Sequence, residues 1–390
     1  MKIALLGPGH PFRGGIVHFN SRLAMELQNK GDLNIDLFYW EKPYPEFLLP
    51  GSAQSCLDKE SSLTFHSNGK QFLSYTNPLT WVKMIVTLRQ GRYDMFITHW
   101  VHPVHFPVLK FILNFVRLFT KTEIVIIVHN VLPHERIRFD ASMTRSVLKM
   151  AHRLIVHSDE ESKKLINIVS INHSPLVAFM PVFDQFVTDD DISSSIRISL
   201  GLRTKVFLFF GFIRQYKGLD VLLDAFHLFA QTHADASLLI VGESFYQENK
   251  AISAKDRFLA NWLPDDPVRS QIVWIDRYVP NEDVCRYFTA ADLLIVPYLS
   301  VTQSAPLQIA YAFDKPVIAS DLPAFHECVS TGESGYLFET GKAFDLAKKM
   351  ETFFEKPIRS ESVKRFRQKF SWERYVNLIL GKTNRGGNGL

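Results

Sequence analysis

The sequence predicts an α/β protein built from two Rossmann-like domains that face each other across a cleft. Apolar runs of strand length alternate with longer segments of helical period, which is typical of parallel strands joined by crossover helices. That alternation pauses near the middle of the chain and then restarts. The length of 390 residues, 46% of them hydrophobic, also exceeds what one ordinary domain needs.

The first half of the chain contains a series of apolar runs that have the length of a buried strand. Directly after Gly14 and Gly15, apolar residues recur at helical spacing, so a helix is predicted to begin behind the glycines. Such a strand, glycine turn and helix bring backbone N–H groups close to a ligand. The predicted strands are Lys2–Leu6, Ile35–Trp40, Met95–Trp100, Glu123–Val128 and Arg153–His157.

The pause falls on the polar stretch Phe183–Arg197, and the second series of elements follows it. Its predicted helices are Leu219–Ala230 and Ser304–Phe313. Ligands are expected at the carboxyl ends of the strands in both series. The predicted strands of the second series are Thr204–Phe210, Ser237–Val241, Gln271–Ile275, Asp292–Pro297 and Pro316–Ser320.

These patterns set the expected domain boundaries. Residues 1–185 are predicted to form the first domain, residues 186–203 the linker and residues 204–365 the second domain. Residues 366–383 are expected to form a C-terminal helix that packs back on the first domain. Residues 384–390 contain glycines and are predicted to be a disordered tail.

Composition excludes several classes of protein. The 44 basic and 40 acidic residues are interspersed, so no basic run marks a nucleic-acid groove and no nucleic-acid partner is expected. Cys56, Cys285 and Cys328 have spacings that fit neither a zinc site nor a disulfide framework, which indicates a reduced, cytoplasmic protein. The apolar part of the first residues is too short for a signal peptide, and we expect no cleavage.

Residues 106–119 are the most lipid-like stretch of the sequence. Lys110, Asn114 and Arg117 interrupt it before the ~18 uncharged residues that a membrane span needs. Because these three fall on roughly one helical face, the stretch has two interpretations. It is either a basic amphipathic helix in peripheral contact with the inner face of the membrane, or an ordinary packing helix.

No metal site is expected. Asp189, Asp190 and Asp191 would suit Mg²⁺ or Mn²⁺, but in a linker with no neighbouring strand end they are better explained as solvated charge. The histidines of the first half lack the paired helical spacing of a metalloprotease, so a zinc site is not predicted either.

The most informative segment is Phe209–Asp220. A buried strand ends at Gly211, a short turn presents Arg214 and Lys217, and a helix starts at about Gly218. Two cations beside the positive end of a helix dipole predict a site for an anion such as a diphosphate. The guanidinium matches two phosphate oxygens, while the ammonium acts as a point charge. The alternative is a surface turn with solvated basic side chains.

This segment resembles the strand, glycine, Arg and Lys-Gly motif of the GT-B glycosyltransferases, specifically the family 4 type. Blocks resembling the same family follow in its order, beginning at Val241-Gly242-Glu243 and at Ala290-Ala291-Asp292. Others begin at Lys315-Pro316-Val317 and at Gly332-Glu333-Ser334. The resemblance covers about residues 206–338, and it is thinner in the first half.

The sequence departs from this family at its paired glutamates, whose places fall on Val301 and Ile309. The segment resembles instead a subgroup with Thr-Gln-Ser here. Neutral side chains can still hydrogen-bond sugar and ribose hydroxyls, although Ser304 is equally explained as a helix N-cap. The resemblance implies that donor-binding residues are Gly14, Gly15, Gly211, Thr302, Gln303, Ser304, Gln308 and Glu327.

Histidines stand at the predicted carboxyl ends of two strands in the first half. His129 matches a position that, by resemblance, hydrogen-bonds the transferred sugar or its leaving oxygen; a strand cap is the alternative. His99 and His102 follow the preceding strand and are candidates for facing the acceptor. Glu327 holds the place of a family glutamate, for which donor binding and a purely structural role are the two alternatives.

The resemblance implies a retaining glycosyltransferase. Residues 1–185 would be the acceptor side and residues 204–365 the donor-binding domain. The catalytic residues would be Arg214, Lys217 and His129, the donor a UDP-sugar, and the acceptor a carbohydrate or lipid-linked hydroxyl in polysaccharide or glycolipid assembly. No tightly bound cofactor and no metal would be required. Two alternatives remain open: a sugar-nucleotide epimerase of the same fold, and an inactive nucleotide-sugar-binding scaffold.

Overall fold

The computed structural model describes residues 1–9, 12, 14–41, 69–133, 138–169, 174–188, 193–244, 258–260, 262 and 265–382. The predictions for Asp189–Asp191 and for the tail 384–390 lie outside these residues. The chain divides into two compact units. Unit 1 comprises Met1–Pro181 and Phe370–Leu390, and unit 2 comprises Val182–Lys369.

Unit 1 is organised around a parallel sheet of seven described strands in the order β3-β2-β1-β4-β5-β6-β7. The order turns around between β1 and β4, so the connections run outwards in both directions from this point. The connections that follow β1 and β4 leave the sheet in opposite directions, which opens a crevice at the carboxyl ends of these strands. Ligands usually bind at this point in such sheets. The strands are β1 Lys2–Gly7, β2 Asn34–Trp40, β3 Lys70–Leu73, β4 Met95–Trp100, β5 Glu123–Val128, β6 Arg153–Val156 and β7 Leu176–Val177.

Helices connect these strands. Consecutive residues of β4 and β5 are buried, which is the pattern of a parallel sheet that is covered on both faces. Its apolar core includes Phe96, Ile112 and Ile126. The helices of unit 1 are α1 Gly15–Gln28, α2 Pro78–Gly91, α3 Phe106–Phe119, α4 Asp140–Leu148 and α5 Asp159–Val169.

Unit 2 repeats the design with a parallel sheet of six described strands, in the order β10-β9-β8-β11-β12-β13. Its order turns around between β8 and β11. The core includes Phe207, Phe226 and Leu238. The strands are β8 Lys205–Phe210, β9 Ala236–Val241, β10 Ile272–Ile275, β11 Leu293–Val296, β12 Val317–Ser320 and β13 Gly335–Phe338.

Among the described residues, the helices of unit 2 surround this sheet, and α7 packs closely against α11. Both helices carry an apolar stripe at helical spacing, with Phe226 and Met350 fully buried. The helices are α6 Ser193–Ser199, α7 Leu219–Ala230, α8 Asn281–Ala290, α9 Ala305–Ala312, α10 Pro323–His326, α11 Ala343–Glu355 and α12 Ser360–Phe366.

The boundary between the units falls between Pro181 and Val182, a few residues before the predicted linker. Part of the predicted linker is ordered structure, because α6 packs on α8 through the buried Ile196. Arg197 on the same helix binds the carboxylate of Asp292 at 3.0 Å. The last helix, α13 (Trp372–Ile379), belongs to unit 1 and packs against α1.

Helix α3 covers the stretch that the sequence marks as lipid-like. Val108, Leu109, Ile112, Leu113 and Val116 are buried in the core of unit 1, so most of its apolar stripe packs against protein. Within the described part of the chain, no helix combines the length and the apolar character needed to cross a bilayer.

Candidate functional site

The turn after β8 lies where the strand order of unit 2 reverses. Gly211 ends this strand with φ 104°, and Gly218 adopts φ 62° directly before α7. A Cβ at Gly218 would lie 2.0 Å from the carbonyl oxygen of Pro297, which follows β11. The backbone of Leu299 also donates to the carbonyl of Tyr216 at 2.7 Å. Glycine therefore lets the turn press against the neighbouring strand end.

Lys217 is the buried cation of this turn, with 7% of its surface exposed. Its Nζ lies 5.4 Å from the centre of the Tyr298 ring and 3.0 Å from where a Cβ of Gly211 would stand. Burial, and then the charge of Arg214, lower the pKa of Lys217 from 10.5 to about 7. No carboxylate pairs with it among the described residues. A buried cation without an acid partner is the arrangement that an anionic ligand would complete.

Arg214 precedes the short helical turn Gln215–Lys217 and is half-buried. The structure thus brings together the two cations that the sequence placed at an anion site. The N-terminus of α9 lies beside them, since Pro306 is 3.6 Å from the position that a Cβ of Gly211 would take. Two cations and the first turns of α7 and α9 make this part of unit 2 electropositive.

The segment in place of the paired glutamates forms the start of α9. Ser304 is its N-cap, with Oγ accepting from the backbone of Leu307 at 3.3 Å. Gln308 is 2% exposed, and its Oε1 has no hydrogen-bond partner among the described residues. Thr302 and Gln303 precede the helix and are half-buried. Ile309 is buried in apolar surroundings, so this position contributes packing in place of a carboxylate.

Glu327 follows α10, and its backbone carbonyl accepts from Nζ of Lys369 at 3.1 Å. This contact involves the main chain only. It therefore accounts for a structural position of the residue through its backbone.

A row of histidines lines the carboxyl ends of adjacent strands in unit 1. His99 is the penultimate residue of β4, while His129 and His157 directly follow β5 and β6. His129 lies between the other two, with ring centres 5.2 Å apart on each side. Phe19 of α1 meets all three rings edge-on. Tyr375 of α13 continues the row, 5.8 Å from His157.

Burial keeps these imidazoles neutral. Desolvation lowers the pKa of His129 from 6.5 to about 3, and it lowers the pKa values of His99 and His157 well below 6.5. Neighbouring histidines lower them further by charge repulsion. Both ring nitrogens of His157 are buried and have no hydrogen-bond partner within the described ranges.

A chain of hydrogen bonds fixes which nitrogen carries the proton in His99 and in His129. Asn20 donates through Nδ2 to the carbonyl of Pro8 at 2.9 Å, which turns its Oδ1 towards Nε2 of His99 at 2.7 Å. His99 must therefore be protonated at Nε2 and accept at Nδ1. His129 donates to that Nδ1 from its Nε2 at 2.9 Å. A neutral His129 is consequently unprotonated at Nδ1.

His102 has a different position from His99. Its Nδ1 accepts from the backbone of Val104 at 3.1 Å and caps the helical turn Pro103–His105. This capping bond explains a histidine here without an acceptor ligand. Of the two glycines before α1, Gly14 has φ 119°, whereas Gly15 is the first residue of the helix. The backbone requirement for glycine therefore rests on Gly14 alone.

Asn20, His157 and Tyr375 were not among the predicted site residues. Asn20 carries a sequence signal, because it interrupts the apolar stripe of Ile16, Phe19 and Leu23 at a position that faces the core. Tyr375 lies hundreds of residues from the histidines in sequence, and only the packing of α13 on α1 brings it to them.

Metal-binding side chains are not grouped in the described ranges. Nowhere in them do three or more His, Cys, Asp or Glu side chains converge in a way that could hold an ion. The histidines of unit 1 instead stack face to face and bond to one another.

The turn with Arg214 and Lys217 falls inside a region that known proteins share. Residues 204–356 match the family described as Glycosyl transferases group 1. The matched region contains Arg214 and Lys217, and the match supports the prediction of a transferase enzyme. The chain is 25% identical over 228 residues to D-inositol 3-phosphate glycosyltransferase of Thermobifida fusca, covering 58% of this chain and 51% of that protein.

Another relative, D-inositol 3-phosphate glycosyltransferase of a Nocardioides strain, is 30% identical over 54% of this chain and 47% of its own. The chain thus spans about half the length of these curated relatives.

Solved structures match nearly the whole chain. HepE of Anabaena, determined with UDP, aligns with a TM-score of 0.71 and 16% identity over 98% of this chain and all of the other (100%). Sucrose-phosphate synthase from Thermosynechococcus elongatus aligns with a TM-score of 0.70 and 18% identity, covering 98% and 97%. At these identities the likeness concerns the fold, and it confirms two Rossmann-like α/β domains of the GT-B type.

Proposed function

We propose that this chain is a retaining glycosyltransferase that transfers a sugar from a UDP-sugar to a hydroxyl group of a carbohydrate or lipid-linked acceptor. The observation that carries the proposal is Lys217, a buried cation beside Arg214 with no carboxylate partner in the described part of unit 2. A protein keeps such a costly group where a ligand supplies the opposite charge. The diphosphate of the donor fits this position.

The proposed reaction is the breaking of the bond between the sugar and the diphosphate. Negative charge gathers on the leaving diphosphate as this bond breaks. Arg214 and Lys217 are fixed by the turn after β8, so they stabilise this charge without reorganising during the reaction. Because Lys217 is desolvated, its attraction to the diphosphate is stronger than that of a solvated lysine.

We further propose that His129 accepts a hydrogen bond from a hydroxyl of the transferred sugar. The bond from its Nε2 to His99 leaves Nδ1 as the accepting nitrogen of the neutral ring. With retention, as the resemblance implies, the leaving phosphate assists removal of the proton from the acceptor hydroxyl. No carboxylate nucleophile is then needed.

A donor screen followed by product analysis tests the proposal. UDP-sugars are expected to raise the melting temperature of the protein, because a ligand that binds only the folded state stabilises it. Incubation with the stabilising donor and candidate acceptors should release UDP and form a glycoside of the same anomeric configuration. Turnover of donor to an isomeric UDP-sugar without an acceptor would indicate an epimerase, and binding without any turnover would indicate a scaffold.

The variant Lys217→Met examines the role of the cation directly. We expect turnover to fall by about 10²–10³-fold, as for the loss of one transition-state donor. The variant should be more stable than the wild type, by at least about 1 kcal/mol, since a pKa shift of one unit corresponds to about 1.4 kcal/mol. Lys348→Met, on an exposed lysine of α11, is the control. Unchanged turnover in Lys217→Met would refute the proposed role.

A further inference from the structure

Four cations surround one shallow pocket on unit 1, far in sequence from the donor domain. The pocket has a volume of about 500 Å³. Lys110 and Arg117 reach it from α3, and Arg145 and Lys149 from the end of α4 and the residue after it. No carboxylate belongs to the described residues that line it.

The backbone contacts of these cations hold them in place without neutralising them. Lys110 donates to the carbonyl of Ser146 at 3.1 Å, and Arg117 donates to the carbonyl of Lys149 at 2.9 Å. Arg145 donates to the carbonyl of Ile168 at 2.6 Å. Because none of them forms an ion pair with the rest of the described chain, the pocket keeps its positive charge.

Large apolar side chains are exposed on the same helix, next to the cations. Leu118 lines the pocket with 73% of its surface exposed, and Phe119 beside it is 63% exposed. Phe111, two helical turns before Leu118, is also exposed. The exposed surface of α3 therefore has a cationic edge at Lys110 and Arg117. Its apolar edge is formed by Phe111, Leu118 and Phe119.

We propose that this surface, formed by Lys110, Arg117, Arg145 and Lys149 with Leu118 and Phe119, docks on a bilayer that contains anionic phospholipids. A soluble anion would satisfy the cations but leave both apolar side chains in water. An anionic bilayer matches both edges, since headgroup phosphates meet the cations while Leu118 and Phe119 enter the boundary between headgroups and acyl chains. The inference is independent of the proposed transferase activity.

Vesicle flotation without any donor sugar tests this inference. Wild-type protein should float with vesicles of equal parts phosphatidylglycerol and phosphatidylcholine, and not with pure phosphatidylcholine. Lys149→Glu should lower the partition coefficient by about 30-fold, because it removes one cation and adds one anion, and each charge near an anionic surface contributes about 1 kcal/mol. Higher ionic strength should release the wild type. The double variant, Phe119→Ser with Lys149→Glu, should not float with the vesicles.

A matched pair on unit 2 provides the control. Phe344 is 64% exposed, and Nζ of Lys348 lies 4.5 Å from the centre of its ring. Phe344→Ser with Lys348→Glu removes the same groups elsewhere, and this variant should float like the wild type. Failure of the wild type to float, equal binding to pure phosphatidylcholine, or unchanged binding of Lys149→Glu would each overturn the inference. Binding of inorganic phosphate without vesicle binding would overturn it too and assign the pocket to a soluble anion.

Discussion

Nδ1 of His99 accepts a hydrogen bond from Nε2 of His129 at 2.9 Å, and this contact passes the protonation state of His99 on to His129. The pattern begins at Asn20, whose amide can only accept at the oxygen that faces His99. A polar residue on the buried stripe of α1 thus acts on His129 through one intermediate ring. In this description Asn20 and His99 are positioning residues for His129.

Histidine ¹⁵N chemical shifts measure this arrangement directly. In the wild type, His129 is expected as the neutral form protonated at Nε2. Asn20→Leu removes the acceptor for His99, so the signals of His129 should move towards a mixture of both neutral forms. The interpretation fails if wild-type His129 carries its proton at Nδ1.

The buried histidines should make the protein sensitive to acid. Their folded pKa values lie below 6.5, that of His129 at about 3, so the unfolded chain takes up protons that the folded chain refuses. The stabilisation is complete above pH 6.5 and is lost as the pH falls below it. Each of the three rings loses about 1.4 kcal/mol per pH unit below 6.5, so we expect the row to lower the free energy of unfolding by about 6 kcal/mol between pH 7 and pH 5.

Denaturant titrations at both pH values measure this difference. His157→Phe should reduce it by about a third, because one of the titrating rings of the row is removed. An unaltered pH dependence in His157→Phe would contradict the assignment.

Nucleotide binding should be coupled to proton uptake at Lys217. Its folded pKa of about 7 means that much of it is neutral at pH 8, whereas a bound diphosphate favours the charged form. UDP affinity is expected to fall by up to tenfold per pH unit above pH 7. Calorimetry at pH 8 in buffers of different ionisation enthalpy should detect nearly one proton taken up. Lys217→Arg keeps its charge and should bind without this uptake, and a wild type that takes up no proton would contradict the prediction.

Alanine substitutions at two glycines distinguish the cost of backbone strain from the cost of a steric clash. Gly218 and Gly201 have nearly equal φ values of 62° and 63°, but a Cβ meets the carbonyl of Pro297 at 2.0 Å only at Gly218. Gly201→Ala should cost about 1 kcal/mol of unfolding free energy, the usual penalty of the left-handed region. Gly218→Ala should cost more than about 3 kcal/mol. Thermal denaturation compares them, and equal losses would show that the contact can relax.

Much of the fold was accessible from local pattern. The apolar runs Met95–Trp100 and Glu123–Val128 are strands with the predicted ends, and the helix behind Gly14 begins at Gly15. The residues of these elements show their own hydrophobic periodicity, so the elements can be recognised without information about long-range contacts. The short strands β3 and β7 were not predicted, since they contain few residues and depend on pairing with the edge of an existing sheet.

Residues of the candidate site could be predicted from the sequence only where they lie close together along the chain. Gly211, Arg214 and Lys217 belong to one turn, so their spacing in the sequence is enough to place them near one another. The bonds among Asn20, His99 and His129 join α1 to two strands, so no spacing in the sequence reveals them. The roles of these residues and the Thr-Gln-Ser subgroup stay predictions.

Unit 1 is discontinuous, because its last helix is encoded after all of unit 2. Trp372 and Tyr375 pack on Phe19, which is synthesised before all of unit 2. During translation, unit 2 can therefore be completed while the Phe19 ring still waits for its partners. Until Val182–Lys369 and the helix that follows have been synthesised, the apolar surface around Phe19 lacks these two aromatic partners, and such transiently exposed surface is prone to aggregation.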